Sequence, residues 1–127
     1  MTDAPLMLDR PQGRIAYEVS GSGPLLVLVP GMGDLRTTYR SLVPPLVEAG
    51  YRVAAMDLRG HGDSDMTFAS FGDAVTGQDV LSLIAELGGP AVVVGNSMGA
   101  GAASKCMANK FTSTKHALRR SRRMGHR

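Results

Sequence analysis

The sequence holds one cysteine, Cys106, so no disulfide can form within it. That absence points to a reducing, cytoplasmic setting. No stretch approaches the ~20 apolar residues that a membrane-spanning helix needs. The opening residues contain acids and lack a basic start followed by an apolar run, so they do not read as a secretory signal. Acidic residues are missing from one end, for none follows Glu86. The chain is therefore two pieces of opposite sign. Residues 1–104 carry 11 acids and 6 bases, a net −5, whereas residues 105–127 carry 8 bases and no acid. The overall charge of +3 describes neither piece, and the high pI belongs to the second. It gives no ground for treating residues 1–104 as a nucleic-acid binder.

What is present suits one globular domain: 127 residues, 43% of them hydrophobic. Ile15, Tyr17 and Val19 alternate with Arg14, Ala16, Glu18 and Ser20, which predicts a strand over 13–20. Leu6-Met7-Leu8 reads as a short strand before it, with 9–13 as the hairpin loop. Leu25–Val29 is a continuous apolar run of strand length, buried on both faces. Pro30-Gly31-Met32-Gly33-Asp34 follows at once, and its glycines allow the backbone itself to face a ligand. Tyr39, Leu42, Val43, Leu46 and Val47 recur at helical spacing up to Gly50, with a kink expected at Pro44-Pro45. Residues 51–57 read as another buried strand and 57–65 as a polar, glycine-punctuated loop. After a loose stretch containing Gly72 and Gly77, Val80, Leu81, Leu83, Ile84 and Leu87 mark an amphipathic helix ended by Gly88-Gly89-Pro90. Strands alternating with helices imply an α/β fold, a mostly parallel sheet of about five strands flanked by helices on both faces.

The stretch 91–99 organises the rest. Ala91-Val92-Val93-Val94 reads as a buried strand, and Gly95-Asn96-Ser97-Met98-Gly99 is a G-x-S-x-G pattern followed by the small-residue run 100–104. Strand, sharp turn and helix start is the context in which this pattern holds a serine hydroxyl clear of a sheet edge. Gly95 and Gly99 allow strand and helix to approach closely there. In that geometry the backbone N–H of Met98 points to where an oxyanion would form.

Three motifs in this order resemble the N-terminal half of the α/β-hydrolase fold. Pro30-Gly31-Met32-Gly33 stands where that family often has His-Gly-x-x-Gly. The run 57–64, Asp-Leu-Arg-Gly-His-Gly-Asp-Ser, matches its D-x-R-G-x-G-x-S loop, and 95–99 matches its nucleophile elbow. The resemblance covers about residues 6–104 and implies Ser97 as nucleophile, with the N–H groups of Met98 and Met32 forming the oxyanion hole. A serine at this position, where dehalogenases and epoxide hydrolases of this fold use a carboxylate, implies hydrolysis of an ester-like or other acyl bond in a small-molecule substrate. Some serine members are instead acyltransferases or cofactor-free haloperoxidases. The resemblance implies no metal and no organic cofactor.

A serine hydroxyl needs a histidine to take its proton and an acid to orient that histidine. The family places both after the serine. Here no acid follows Ser97, and His116 and His126 lie in the basic tail. His61 reads as a structural, loop-lining residue and Asp57 as an anchor of its own loop. Cys106 reads as a small residue on the helix after the elbow. The expectation is therefore a domain over 1–104 that is a truncated hydrolase fold with little or no activity alone. Residues 105–127 would be a basic tail, partly helical or disordered, and a frame-shifted or otherwise non-native ending. Two alternatives stand beside it. The tail's arginines could hold nucleic acid or an anionic membrane by counterion release, a reading ranked below truncation. Or the chain is a non-catalytic binding or interaction protein on a degenerate hydrolase scaffold. An unpaired edge on the last strand would favour self-association.

Overall fold

A computed structural model describes residues 4–95. Five strands and two helices fill that span: β1 (Leu6–Arg10), β2 (Gly13–Ser20), β3 (Leu25–Val29), α1 (Val43–Glu48), β4 (Arg52–Met56), α2 (Asp73–Leu87) and β5 (Ala91–Gly95). A 3₁₀ turn, Arg36–Tyr39, precedes α1. The sheet order is β1-β2-β4-β3-β5. β4, β3 and β5 run parallel, while β2 is antiparallel to both β1 and β4, so the sheet is mixed.

Alternation along each strand sends side chains to two cores. Leu25, Val27 and Val29 of β3 pack with Ile15, Tyr17, Ala54, Met56, Val93 and the α2 residues Val80 and Leu83 on one face. Leu26 and Leu28 pack with Val53, Ala55, Val94 and the α1 residue Val43 on the other. All five residues of β3 are buried, as a strand covered on both sides requires. Each such side chain contributes about 1.5–3 kcal/mol by leaving water.

Three local predictions shift. The hairpin is tighter than expected: Asp9 pairs with Arg14 and Arg10 with Gly13, leaving only Pro11-Gln12 as the turn. The helical stretch after residue 39 is not one kinked helix. Proline lacks an N–H, and the first turn of a helix is where an N–H has no partner. α1 accordingly begins at Val43, with proline in its first turn. It ends as expected at Gly50, whose N–H donates to the Val47 carbonyl, while the Tyr51 N–H donates to that of Leu46. α2 begins at Asp73, earlier than its apolar residues suggest, because its first inward positions are Thr76, Gly77 and Asp79.

The connections position the site. From β3 the chain crosses by α1 to β4 on one side; from β4 it crosses by α2, on the opposite face, to β5 on the other side of β3. A crevice opens at the carboxyl ends of neighbouring parallel strands whose connections diverge in this way. Here those ends are Val29 and Gly95, which are register partners. The expected boundary at 104/105, the tail, and the elbow residues 96–99 lie outside the described residues.

Candidate active site

The segment leaving β3 makes a tight turn. The Asp34 N–H donates to the Gly31 carbonyl at 3.0 Å, and Gly33 has φ +88°. A positive φ at the third position alone defines a type II turn, which selects glycine there. Met32 sits at the turn's second position and is 63% exposed. Among the described residues its N–H has no hydrogen-bond partner. The structure thus places one of the three expected site residues, Met32, at the carboxyl end of β3. Ser97 and Met98 lie outside the described residues, two and three positions beyond Gly95.

A second segment clamps the first. The loop after β4 begins at Asp57, which is fully buried. One Asp57 oxygen accepts the Arg36 N–H at 2.7 Å, and the other accepts the Asp63 N–H at 3.0 Å and the Arg36 guanidinium. Gly62 lies directly under this carboxylate: with φ +51°, a Cβ there would sit 2.5 Å from Asp57 Oδ2. The sequence reading of Asp57 as a loop anchor therefore holds. His61 closes the clamp: its Nδ1 pairs with the Arg59 carbonyl and its Nε2 with the Gly33 N–H, both at 3.0 Å. The pairing requires the tautomer that is protonated on Nδ1. Both ring nitrogens are engaged, so His61 lines and ties the loop, as its position in the motif led us to expect.

Arg36 is the hub. Its Nε donates to Glu18 on β2 at 2.8 Å, and its Nη1 to Asp57 and, at 3.0 Å, to Asp63. It is 7% exposed. Burial works against the charge, but the hydrogen bonds to Glu18 and Asp63 and the field of Asp57 outweigh it and hold the Arg36 pKa above its ordinary value. Nearby, the Tyr39 hydroxyl donates to the Val29 carbonyl at 2.8 Å. Burial, with a smaller contribution from Asp34, pushes the Tyr39 pKa up to about 12.

The far side of the same loop is held by the opposite arrangement. Asp79 of α2, fully buried, receives Arg59 through Nε and Nη2, each at 2.8 Å, and Arg10 through Nε at 2.9 Å. Arg59 also lies 4.1 Å from the centre of the Phe68 ring. Ser64 accepts the Ala16 N–H and donates to the Asp57 carbonyl, and Asp65 binds Arg14. The hydrogen bonds from Arg14 hold the Asp65 carboxyl below its usual range. The sequence marked Arg59 as a motif position without a role, and it did not single out Glu18, Arg36, Asp63, Arg10 or Asp79. One signal was available: Asp79 falls on the inward face of an amphipathic helix, where an acid must be paired.

No group of three metal-ligating side chains converges among the described residues. No helix there is long and apolar enough to cross a membrane.

Comparison with known proteins matches this fold. The alpha/beta hydrolase family profile covers residues 26–122. A soluble epoxide hydrolase from Corynebacterium sp. (strain C12) is 37% identical over 87 residues, 68% of this chain and 30% of that protein. The structure of an epoxide hydrolase from an endophytic Streptomyces superposes with a TM-score of 0.72 at 34% identity, over 83% of this chain and 33% of its own. An esterase from Exiguobacterium antarcticum superposes with a TM-score of 0.77 at 29% identity, over 88% of this chain and 42% of its own. The chain spans less than half the length of each of these proteins. The motifs, the strand order and a family match over most of the sequence agree, and this protein belongs to the alpha/beta hydrolase family.

Proposed function

We propose that this chain carries the nucleophile half of a serine hydrolase acting on ester-like or other acyl bonds, with Ser97 as nucleophile. The observation that carries the reading is the pairing of Val29 with Gly95. It starts the 30–33 turn and the segment leading to Ser97 side by side at one end of the sheet. The Met32 N–H, without a partner among the described residues, is then available as one oxyanion donor, and the Met98 N–H serves as the second. Removing one such donor typically costs on the order of 10²–10³ in rate.

In this mechanism Ser97 Oγ bonds to the acyl carbon and its proton passes to a base. The carbonyl oxygen gathers negative charge between the two N–H groups. The alcohol leaves with a proton, and water releases the acid from the acyl-enzyme. Two groups at the site are not that base or its partner: both nitrogens of His61 are engaged, and both oxygens of Asp57 are bonded to Arg36 and Asp63. We assign the base and the acid to the length of the relatives that this chain does not span, so turnover by the chain alone is slow. A cytoplasmic setting belongs to the same reading and is supported by the lone Cys106.

Two of the relatives above are epoxide hydrolases and one is an esterase. The serine at 97 favours the esterase chemistry, since carboxylate nucleophiles serve the epoxide hydrolases of this fold. Release of p-nitrophenol from p-nitrophenyl acetate, compared with Ser97→Ala, tests the assignment. A rate lost in the variant supports it. Equal rates would leave the non-catalytic interaction module as the better account.

A further inference from the structure

We propose that a cleft behind the 57–65 loop binds a phosphate group, as the free ion or as the head of a small phosphomonoester. It is a site separate from the candidate active site and independent of the reading given to Ser97. The cleft measures about 270 Å³ and is walled by Arg10 and Gln12 of the β1–β2 hairpin, by Arg59 and Ser70, and by Gln78 of α2. Sites for larger organic ligands run from roughly 300 to 1,000 Å³, so this one suits a single compact group.

Charge selects an anion. Arg10 and Arg59 share one carboxylate, that of the fully buried Asp79, and neither pairs with another among the described residues. Two guanidiniums on one carboxylate leave a positive charge over, and no acid lines the cleft. Hydrogen-bonding capacity then selects the shape of the ligand. Arg59 is fixed by Asp79, by the Ser70 carbonyl and by the Phe68 ring. Arg10 commits only its Nε, to Asp79 at 2.9 Å. Its Nη1 and Nη2 have no partner among the described residues, and neither has the Gln78 side chain. Gln12 gives its side-chain oxygen to the Ala69 N–H and keeps its amide donors. Donors therefore stand on the hairpin wall and on the helix wall. A tetrahedral oxyanion accepts from both directions, and the guanidinium fork matches a pair of its oxygens. Asp79 holds the Arg10 guanidinium before any ligand arrives, which lowers the ordering cost of binding.

Residues 105–127 carry 8 bases and attract anions on their own, so binding is followed residue by residue. The full chain, labelled with ¹⁵N, is titrated with inorganic phosphate at constant ionic strength balanced with chloride. The Arg10 Nε–H and the side-chain amides of Gln12 and Gln78 should shift together along one saturating curve. Arg10→Gln keeps Asp79 paired with Arg59 and should weaken binding about tenfold or more, the worth of one charge-assisted hydrogen bond. Gln78→Glu alters an exposed helix position, leaves both arginines in place and sets a negative charge at the cleft. It should weaken binding by a similar factor.

A parallel titration with glycerol 2-phosphate separates the two sources of the group. Tighter binding of the ester supports the site as one for phosphomonoesters, and tighter binding of the free ion supports it as one for phosphate itself. Shifts at Arg10, Gln12 and Gln78 that stay linear in phosphate overturn the proposal. So does a saturating curve that Arg10→Gln and Gln78→Glu both leave unchanged, since the anion would then sit elsewhere on the chain.

Discussion

The two buried ion clusters are opposites. Around Arg36, one cation faces three carboxylates, two of them buried; around Asp79, one buried carboxylate faces two arginines. Both act on the 57–65 loop. The Arg36 cluster ties that loop to the segment after β3, next to the candidate site. The Asp79 cluster ties it to α2 and the hairpin, on the side away from the 30–36 segment. The difference shows what each half of the loop requires. Near the site, backbone N–H groups at 36 and 63 must be turned inward, and an acid is needed to receive them. Behind it, the donors belong to arginine side chains reaching from β1 and from the loop itself, and a single acid on a helix gathers both.

Removing the shared partner of each cluster breaks the comparison most severely. Arg36→Met should strand Asp57, which is fully buried, without the cation that pairs with it. The expected loss is about 3–5 kcal/mol in urea unfolding. A loss under ~1 kcal/mol would show that the cluster is not desolvated as described. Asp79→Asn keeps the shape and one acceptor and leaves Arg10 partly in contact with water, so the loss should be smaller, about 2 kcal/mol. If it exceeds that of Arg36→Met, the ranking of the two clusters is wrong.

Alkaline pH sharpens the contrast through Tyr39 on the site side, although burial also raises the pKa of Tyr17, on the α2 face. The Tyr39 pKa rises from 10.0 to about 12 on folding, so the folded chain holds that proton more tightly than the unfolded one. This contribution is intact below pH 10 and is lost as pH climbs toward 12. Thermal melts over that window should fall for the native chain. In Tyr39→Phe the part of the slope due to this group should disappear. Identical slopes would contradict the burial of Tyr39 against Val29. The smallest effect belongs to the exposed Arg14–Asp65 pair. Its contribution is present at neutral pH and fades as acid protonates Asp65 below its usual 3.8. Asp65→Asn should move the urea midpoint far less than either cluster variant, and a comparable shift would refute a surface role.

These clusters also mark where sequence reading stopped. The strands were legible because β3, β4 and β5 are apolar on both faces, and the 13–20 alternation correctly sorted Ile15 and Tyr17 from Glu18. The start of α2 was hidden because its inward face opens with Thr76, Gly77 and Asp79 in place of an apolar stripe. Arg36 was invisible for another reason: its partners lie 18, 21 and 27 positions away on β2 and the 57–65 loop, and no local period reports such a meeting. The candidate site was legible as motifs, since each motif is a short run of backbone-shaping residues. Its supporting ion pairs were not.

Peptide mapping after treatment with diethyl p-nitrophenyl phosphate tests the central claim most directly. The account predicts a single diethylphosphoryl group on Ser97 and no adduct in Ser97→Ala. Labelling at a different residue, undiminished by that substitution, would contradict it.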